Sequence, residues 1–165
     1  MLALVLLGAS PALLGAADLS TDFDTRVLAA HNAERALLGL QPLRWSEELA
    51  VGAEQWSSYL SQSGRFEHSP NRTGERIGEN IWGGSAGRFP PERMVALWLA
   101  EKQYFKPGLF PNNSLTGSSR DVSHYTQVIW RDSGEVGCSI SRGDKEDILV
   151  CRYKEPGNVI GSSPL

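Results

Sequence analysis

Cys138 and Cys151 lie at mirror positions about a polar, turn-rich run, Arg142-Gly143-Asp144-Lys145-Glu146. The flanking segments, 136–140 and 148–153, read as strands because they are rich in β-branched, aromatic and apolar residues. A simple hairpin centred between Asp144 and Lys145 sets the two cysteines opposite each other, within reach of a disulfide. Closing so short a loop is worth about 3 kcal/mol in the chain-entropy model. The alternative is a pair of buried free thiols, which a reducing compartment favours.

The rest of the chain falls into periodic segments and loops. Ser123-His124-Tyr125-Thr126-Gln127-Val128-Ile129-Trp130 mixes β-branched and aromatic residues with polar ones, which predicts a further strand. Alternation then puts His124, Thr126, Val128 and Trp130 on one face, with His124 at the strand's mouth. Residues 25–38 read as a helix, with Val27, Leu28, His31 and Arg35 at helical spacing and Gly39 as its stop. Residues 41–45 form an extended link. A second helix follows Ser46 as N-cap, with Glu47 and Glu48 in its first turn. Leu49, Ala53, Trp56 and Leu60 recur along it, and Gly64 closes it. Residues 64–87 read as loop. Pro91 opens a third helix, on which Met94, Trp98, Glu101 and Phe105 share a face. Residues 107–119 are again loop-like, and the tail from 156 to 165 is irregular. Helices first and a hairpin region afterwards predict an α+β fold.

The 165 residues allow one domain with a sizeable core. Met1 to Ala17 carry no charged side chain, and Leu2 to Leu7 are apolar, as in a secretory signal cleaved before Asp18. The basic residue that usually precedes such a run is missing. The expected organisation is a signal peptide over 1–17 and a single domain over 18–165. A net charge of -3, with no cluster of lysine or arginine, argues against nucleic-acid binding. Asn71-Arg72-Thr73 and Asn112-Asn113-Ser114 fit the N-glycosylation pattern.

Three histidines are present, so each is weighed separately. His31 shares a helix face with Leu28 and Arg35 and reads as a packed structural ring. His68 sits where a loop begins, in Phe66-Glu67-His68-Ser69-Pro70, and loops carry functional groups more often than helix faces do. Glu79 follows a glycine in Gly78-Glu79-Asn80-Ile81-Trp82. Glu101 lies on an otherwise apolar helix face, where a carboxylate is costly unless paired. The sequence has no HExxH or CxxC spacing, no Gly-x-Ser-x-Gly elbow and no spare cysteine nucleophile.

Four blocks together resemble the CAP superfamily of cysteine-rich secretory proteins, antigen-five venom allergens and plant pathogenesis-related class 1 proteins. They are His31-Asn32-x-x-Arg35, Gly78 to Trp82, Ser123 to Trp130, and Cys151-Arg152-Tyr153-x-x-Pro156-Gly157-Asn158-Val159-Ile160-Gly161. They stand in the family's order and span residues 24 to 161. The resemblance implies an α-β-α sandwich with a central three-stranded antiparallel sheet. It also implies an open cleft lined by His68, Glu79, Glu101 and His124. In that family the two histidines bind a divalent metal such as zinc. Two imidazoles with open positions make a weak, water-rich site, and the acids orient the rings or a bound water. One cysteine pair, where many eukaryotic members have three, and Glu155, where a proline, small or basic residue is usual, depart from the pattern.

Two functions are expected from this resemblance. One is a secreted, monomeric, non-catalytic binding module in defence or host interaction, located outside the cell, or in the periplasm or at the surface of a bacterium. Its partners would be sterols, fatty acids or an extracellular protein. Trp82 and Phe89 flank a Gly/Ser loop and would line a lipid patch, unless they are ordinary core residues. The alternative is a metal-assisted hydrolase or protease using the same four residues, with His68 and His124 on the metal. No obvious nucleophile is paired with a base; Ser123 is next to His124 in the sequence, but neighbours on a strand face opposite sides.

Overall fold

A computed structural model describes residues 16–70 and 76–165. The signal peptide expected over 1–17 lies almost wholly outside these residues, and so does the glycosylation pattern at Asn71. Four helices and four strands follow in the order α1 (Ala16–Leu37), β1 (Arg44–Trp45), α2 (Glu47–Ser63), β2 (Ile77–Ser85), α3 (Pro91–Leu99), α4 (Ser123–Val128), β3 (Glu135–Arg142) and β4 (Glu146–Lys154). A 3-10 turn, Ala100–Tyr104, continues α3, and a second, Ser119–Asp121, precedes α4. No helix among the described residues is long and apolar enough to cross a membrane.

The strands form one mixed sheet in the order β1-β3-β4-β2. The expected three-stranded antiparallel sheet is corrected to this four-stranded one. Three strands are antiparallel as expected, and the two-residue β1 adds a parallel rung, pairing Arg44 with Glu135 and Trp45 with Val136. β1 lies within the extended link expected over 41–45.

The larger correction concerns which segments are strands. Ser123–Val128 is a helix, not a strand. Its β propensity is overridden by tertiary contacts. Glu101 caps its amino end, since Oε2 accepts from the backbone N–H groups of His124 and Tyr125, both at 3.0 Å. Arg35 binds two carbonyls at its other end, that of Val128, the last helical residue, and that of Trp130 just beyond, both at 2.9 Å. Tyr125, Val128 and Ile129 then fall on one helical face and are buried together. The missing strand is β2, inside the segment read as loop. Its glycines clear space. A Cβ on Gly78 would run into the Gln127 amide, and one on Gly84 into the Trp82 ring.

α2 and the hairpin follow the sequence reading closely. Ser46 caps α2 by accepting from Leu49 N, and Gly64 ends it at φ 66°, a left-handed position that suits glycine. β3 and β4 pair with Cys138 opposite Cys151, and these two form a disulfide. Helix α1 begins nine residues earlier than the segment predicted from 25.

Alternate side chains of the sheet feed two cores. On one face Val136, Leu149, Cys151 and Tyr153 pack with Val27 of α1 and with Met94 and Trp98 of α3. On the other, Ile81, Ile148 and Val150 pack with Ala53 and Leu60 of α2. Trp82 belongs to the first core, 8 % exposed, with Phe89 edge-on at 5.1 Å. Trp82 is core, and Phe89 packs against that core while staying partly exposed.

Two buried polar residues fasten the layers. Arg35 is fully buried, and it binds Gln41 O through Nε (2.8 Å) and Ser133 O through Nη2 (3.1 Å), besides the carbonyls of Val128 and Trp130. Four carbonyls thus replace the acid that a buried cation usually requires. His31 is also fully buried. Its Nδ1–H donates to Val27 O and its Nε2 accepts from the Tyr153 hydroxyl, both at 2.8 Å. The ring is structural, as its helix face suggested.

Candidate functional site

Each of the four residues singled out from sequence is placed by a different element. Glu79 lies on β2, directly across from Arg152 on β4. His68 follows α2 on the chain that returns to the sheet. Glu101 sits in the 3-10 turn after α3, just beyond the helix on which it was expected. His124 is in the first turn of α4.

They assemble as two acid–imidazole pairs. His68 Nδ1 lies 2.9 Å from Glu79 Oε1, and His124 Nδ1 lies 2.6 Å from Glu101 Oε1. An ionised carboxylate only accepts, so Nδ1 carries the proton in both rings, and each neutral ring keeps its Nε2 lone pair free.

Each acid is held by further donors. The other Glu101 oxygen is taken by the two N–H groups at the start of α4. Glu79 accepts from Ser69 N (2.9 Å) and from Ser69 Oγ (2.7 Å), and Arg152 Nε stands 3.4 Å from its Oε2. Burial would raise the Glu79 carboxyl, but the hydrogen bonds from His68 and Ser69 outweigh it and hold the group below the usual carboxylate range. Trp98 lies nearly parallel to the His124 ring, 11° from coplanar with centroids 6.0 Å apart. The His68 side chain is 64 % exposed and that of His124 31 %.

The pairs flank strand β2. Glu79 shares a face with Ile81, towards α2, whereas its neighbour Asn80 points the other way, towards α4. Asn80 Nδ2 donates to His124 O at 3.1 Å and to the Tyr153 hydroxyl at 3.3 Å. β2 is an edge strand, so no other strand separates the two pairs. Among the described residues no three His, Cys, Asp or Glu side chains come together as a ligand set for a metal.

The supporting residues were not singled out from sequence. Ser69 follows His68 directly, and Trp98 stands one helical turn before Glu101, so both had a positional signal. Arg152 becomes visible only once β2 is known to pair with β4.

The Cysteine-rich secretory protein family, CAP, matches residues 28–153. The chain belongs to this family. It is 36% identical to pathogenesis-related protein 1C of Nicotiana tabacum over 138 residues, covering 83% of this chain and 77% of that one. It is 33% identical to pathogenesis-related protein PR-1 of Medicago truncatula over 147 residues, covering 88% and 80%. Among solved structures, NaASP2 with Zn2+ superposes with a TM-score of 0.73 at 20% identity, covering 87% of this chain and 84% of that one. BmVAL-1 gives 0.71 at 21% identity, covering 86% and 81%. At such identities these structures establish the shared fold.

Proposed function

We propose that this CAP protein is a secreted, extracellular binding protein of the pathogenesis-related class, and that His68 and His124 offer Nε2 to a divalent cation such as zinc. One observation carries the reading: both imidazoles give Nδ1 to a carboxylate, the arrangement that fixes the tautomer of a metal-ligating histidine. The donor set fits a metal only in a limited way. Glu79 and Glu101 spend their oxygens on histidine, backbone and hydroxyl donors, with the Arg152 guanidinium in ion-pair range of Glu79, so they orient ligands instead of acting as ligands. Two neutral imidazoles would be completed by water or by groups of a partner, which makes a weak site. A bound zinc would supply a Lewis acid and a bridge to such a partner. The relation to NaASP2, solved with Zn2+, makes zinc the first ion to try.

The hydroxyls near the site argue for binding over hydrolysis. Ser69 Oγ donates to Glu79, and Ser123 Oγ donates to Arg120 O at 3.3 Å. Neither is hydrogen-bonded to His68 or His124, as an activated nucleophile would be. The test is calorimetric titration with zinc of the wild type and of a His68→Ala/His124→Ala double variant. Binding that disappears in the double variant is expected. Equal uptake by both proteins would remove the metal site. Peptide hydrolysis that copurifies with the wild type and is lost in His124→Ala would turn the reading to a hydrolase.

A further inference from the structure

On the far side of the sheet from β2, strand β3 has an open edge. β1 covers only Glu135 and Val136, and then the chain turns away at Ser46, whose N–H donates to Val136 O at 2.9 Å. Backbone groups alternate along a strand, so Cys138 and Ile140 face the same way as Val136. The register with β4 agrees. Cys138 and Cys151 have Cα atoms 4.1 Å apart, the spacing of a non-hydrogen-bonded antiparallel pair. Their N–H and C=O groups therefore point away from the neighbouring strand. Among the described residues no loop or cap bonds those of Cys138 and Ile140. From Cys138 to Arg142 this edge runs about 14 Å.

The edge forms the floor of a groove of about 570 Å³ between the two helical layers. Phe23 of α1 and Val51 of α2 face each other across it, with Ile140 below. Its charges are uneven. Arg26 is neutralised by Asp22 at 3.0 Å and by Glu92 at 2.6 Å, and Arg142 by Asp147 at 2.6 Å. Asp24 and Glu54 line the same groove, and among the described residues neither has a cationic partner. Burial, and then Glu47 across the groove, raise the Asp24 carboxyl above its ordinary value. An incoming cation would relieve that repulsion.

We infer that the open edge of β3 docks an extended basic segment of a partner protein, which joins the sheet as an added strand. The unpaired N–H and C=O groups, those of partly buried Ile140 at the groove and of Cys138 deeper in it, supply backbone pairing, the apolar walls take one side chain, and the acids on both walls take lysine or arginine on either face of the strand. Charges on an exposed edge also serve to prevent self-pairing, and acids on both walls disfavour a second copy of this acidic chain. A guard alone needs no groove of this volume.

The test uses the full chain and a fluorescein-labelled hexapeptide of alternating lysine and valine. Saturable anisotropy is expected, with affinity falling at least tenfold in an Asp24→Asn/Glu54→Lys variant. A peptide N-methylated on one edge should also bind at least tenfold more weakly, and amide exchange at Cys138 and Ile140 should slow only with the unmethylated peptide. Equal binding of the methylated peptide, or of a glutamate–valine peptide, would overturn the inference. So would an absence of saturable binding, or a dimer through this edge that the peptide does not displace.

Discussion

Glu101 shows how one side chain can serve fold and site together. Its carboxylate caps α4 through two backbone N–H groups and holds the His124 ring through the third bond. Glu101→Ala should cost about 2–3 kcal/mol, the range of hydrogen bonds to a charged group, measured by urea unfolding. Zinc affinity should fall with it. In Glu101→Gln the amide oxygen still accepts, so stability should drop less than in the alanine variant while metal affinity weakens. A glutamine variant as unstable as the alanine one would show that the charge, not the acceptor, holds α4. Gly78 is the opposite case, a residue defined by what it lacks. Gln127 is pinned by Gly157 N at 2.8 Å and Ser133 Oγ at 3.2 Å, so a methyl at Gly78 cannot push it aside freely. Gly78→Ala should destabilise by about 1–3 kcal/mol, as overpacking does, with the melting temperature as readout.

The elements differ in how far the sequence reveals them. α2 is self-contained: its cap, apolar stripe and terminal glycine are all local, and all are legible. The β3–β4 hairpin is legible because its cysteines and turn lie within one short segment. α4 is not legible, because what makes it helical comes from elsewhere. Its cap lies 23 residues upstream in Glu101, and the guanidinium that binds the carbonyls at its far end lies over 90 residues away in Arg35. β2 is not legible because its glycines resemble turn residues until their neighbours across space are known. The candidate site divides the same way. Glu79 and His124 lie within the resembling blocks, and His68 and Glu101 follow from the same resemblance outside them, but the pairing of acid with ring depends on β2 and α4, the two elements that local sequence does not reveal. Arg35→Lys tests the reach of this coupling. A lysine keeps the charge but cannot serve four carbonyls, so several would be left buried and unpaired, each costing about 1–3 kcal/mol. The expected result is loss of near-ultraviolet dichroism or of folded yield. Wild-type stability in Arg35→Lys would disprove the strut role.

At the scale of the molecule, one buried chain of hydrogen bonds crosses the layers and sets the response to acid. It runs from Val27 O through His31, the Tyr153 hydroxyl and Asn80 to His124 O. Burial, opposed by the bond to Val27 O and helped by nearby Arg35, pushes the His31 ring down from 6.5 to about 4. Protonation would also remove the lone pair that accepts from Tyr153. The sign follows from linkage: below 6.5 the unfolded ring takes up a proton that the folded ring refuses until about 4. Folding stability is therefore full above the unfolded value and declines as pH falls through this window. The difference amounts to about 3 kcal/mol, at about 1.4 kcal/mol for each pH step. The depressed Glu79 carboxyl adds a further loss, from its unfolded value of 4.5 downward. Urea unfolding of the wild type should thus show a flat free energy above pH 7 and a steady fall between 6.5 and 4. His31→Gln lowers stability throughout but removes the titrating ring, so its curve should be flatter by about 3 kcal/mol across that window. The two proteins differ only at residue 31, so contributions from every other group cancel in the comparison. Parallel curves for the two proteins would mean that His31 is not the buried acid sensor.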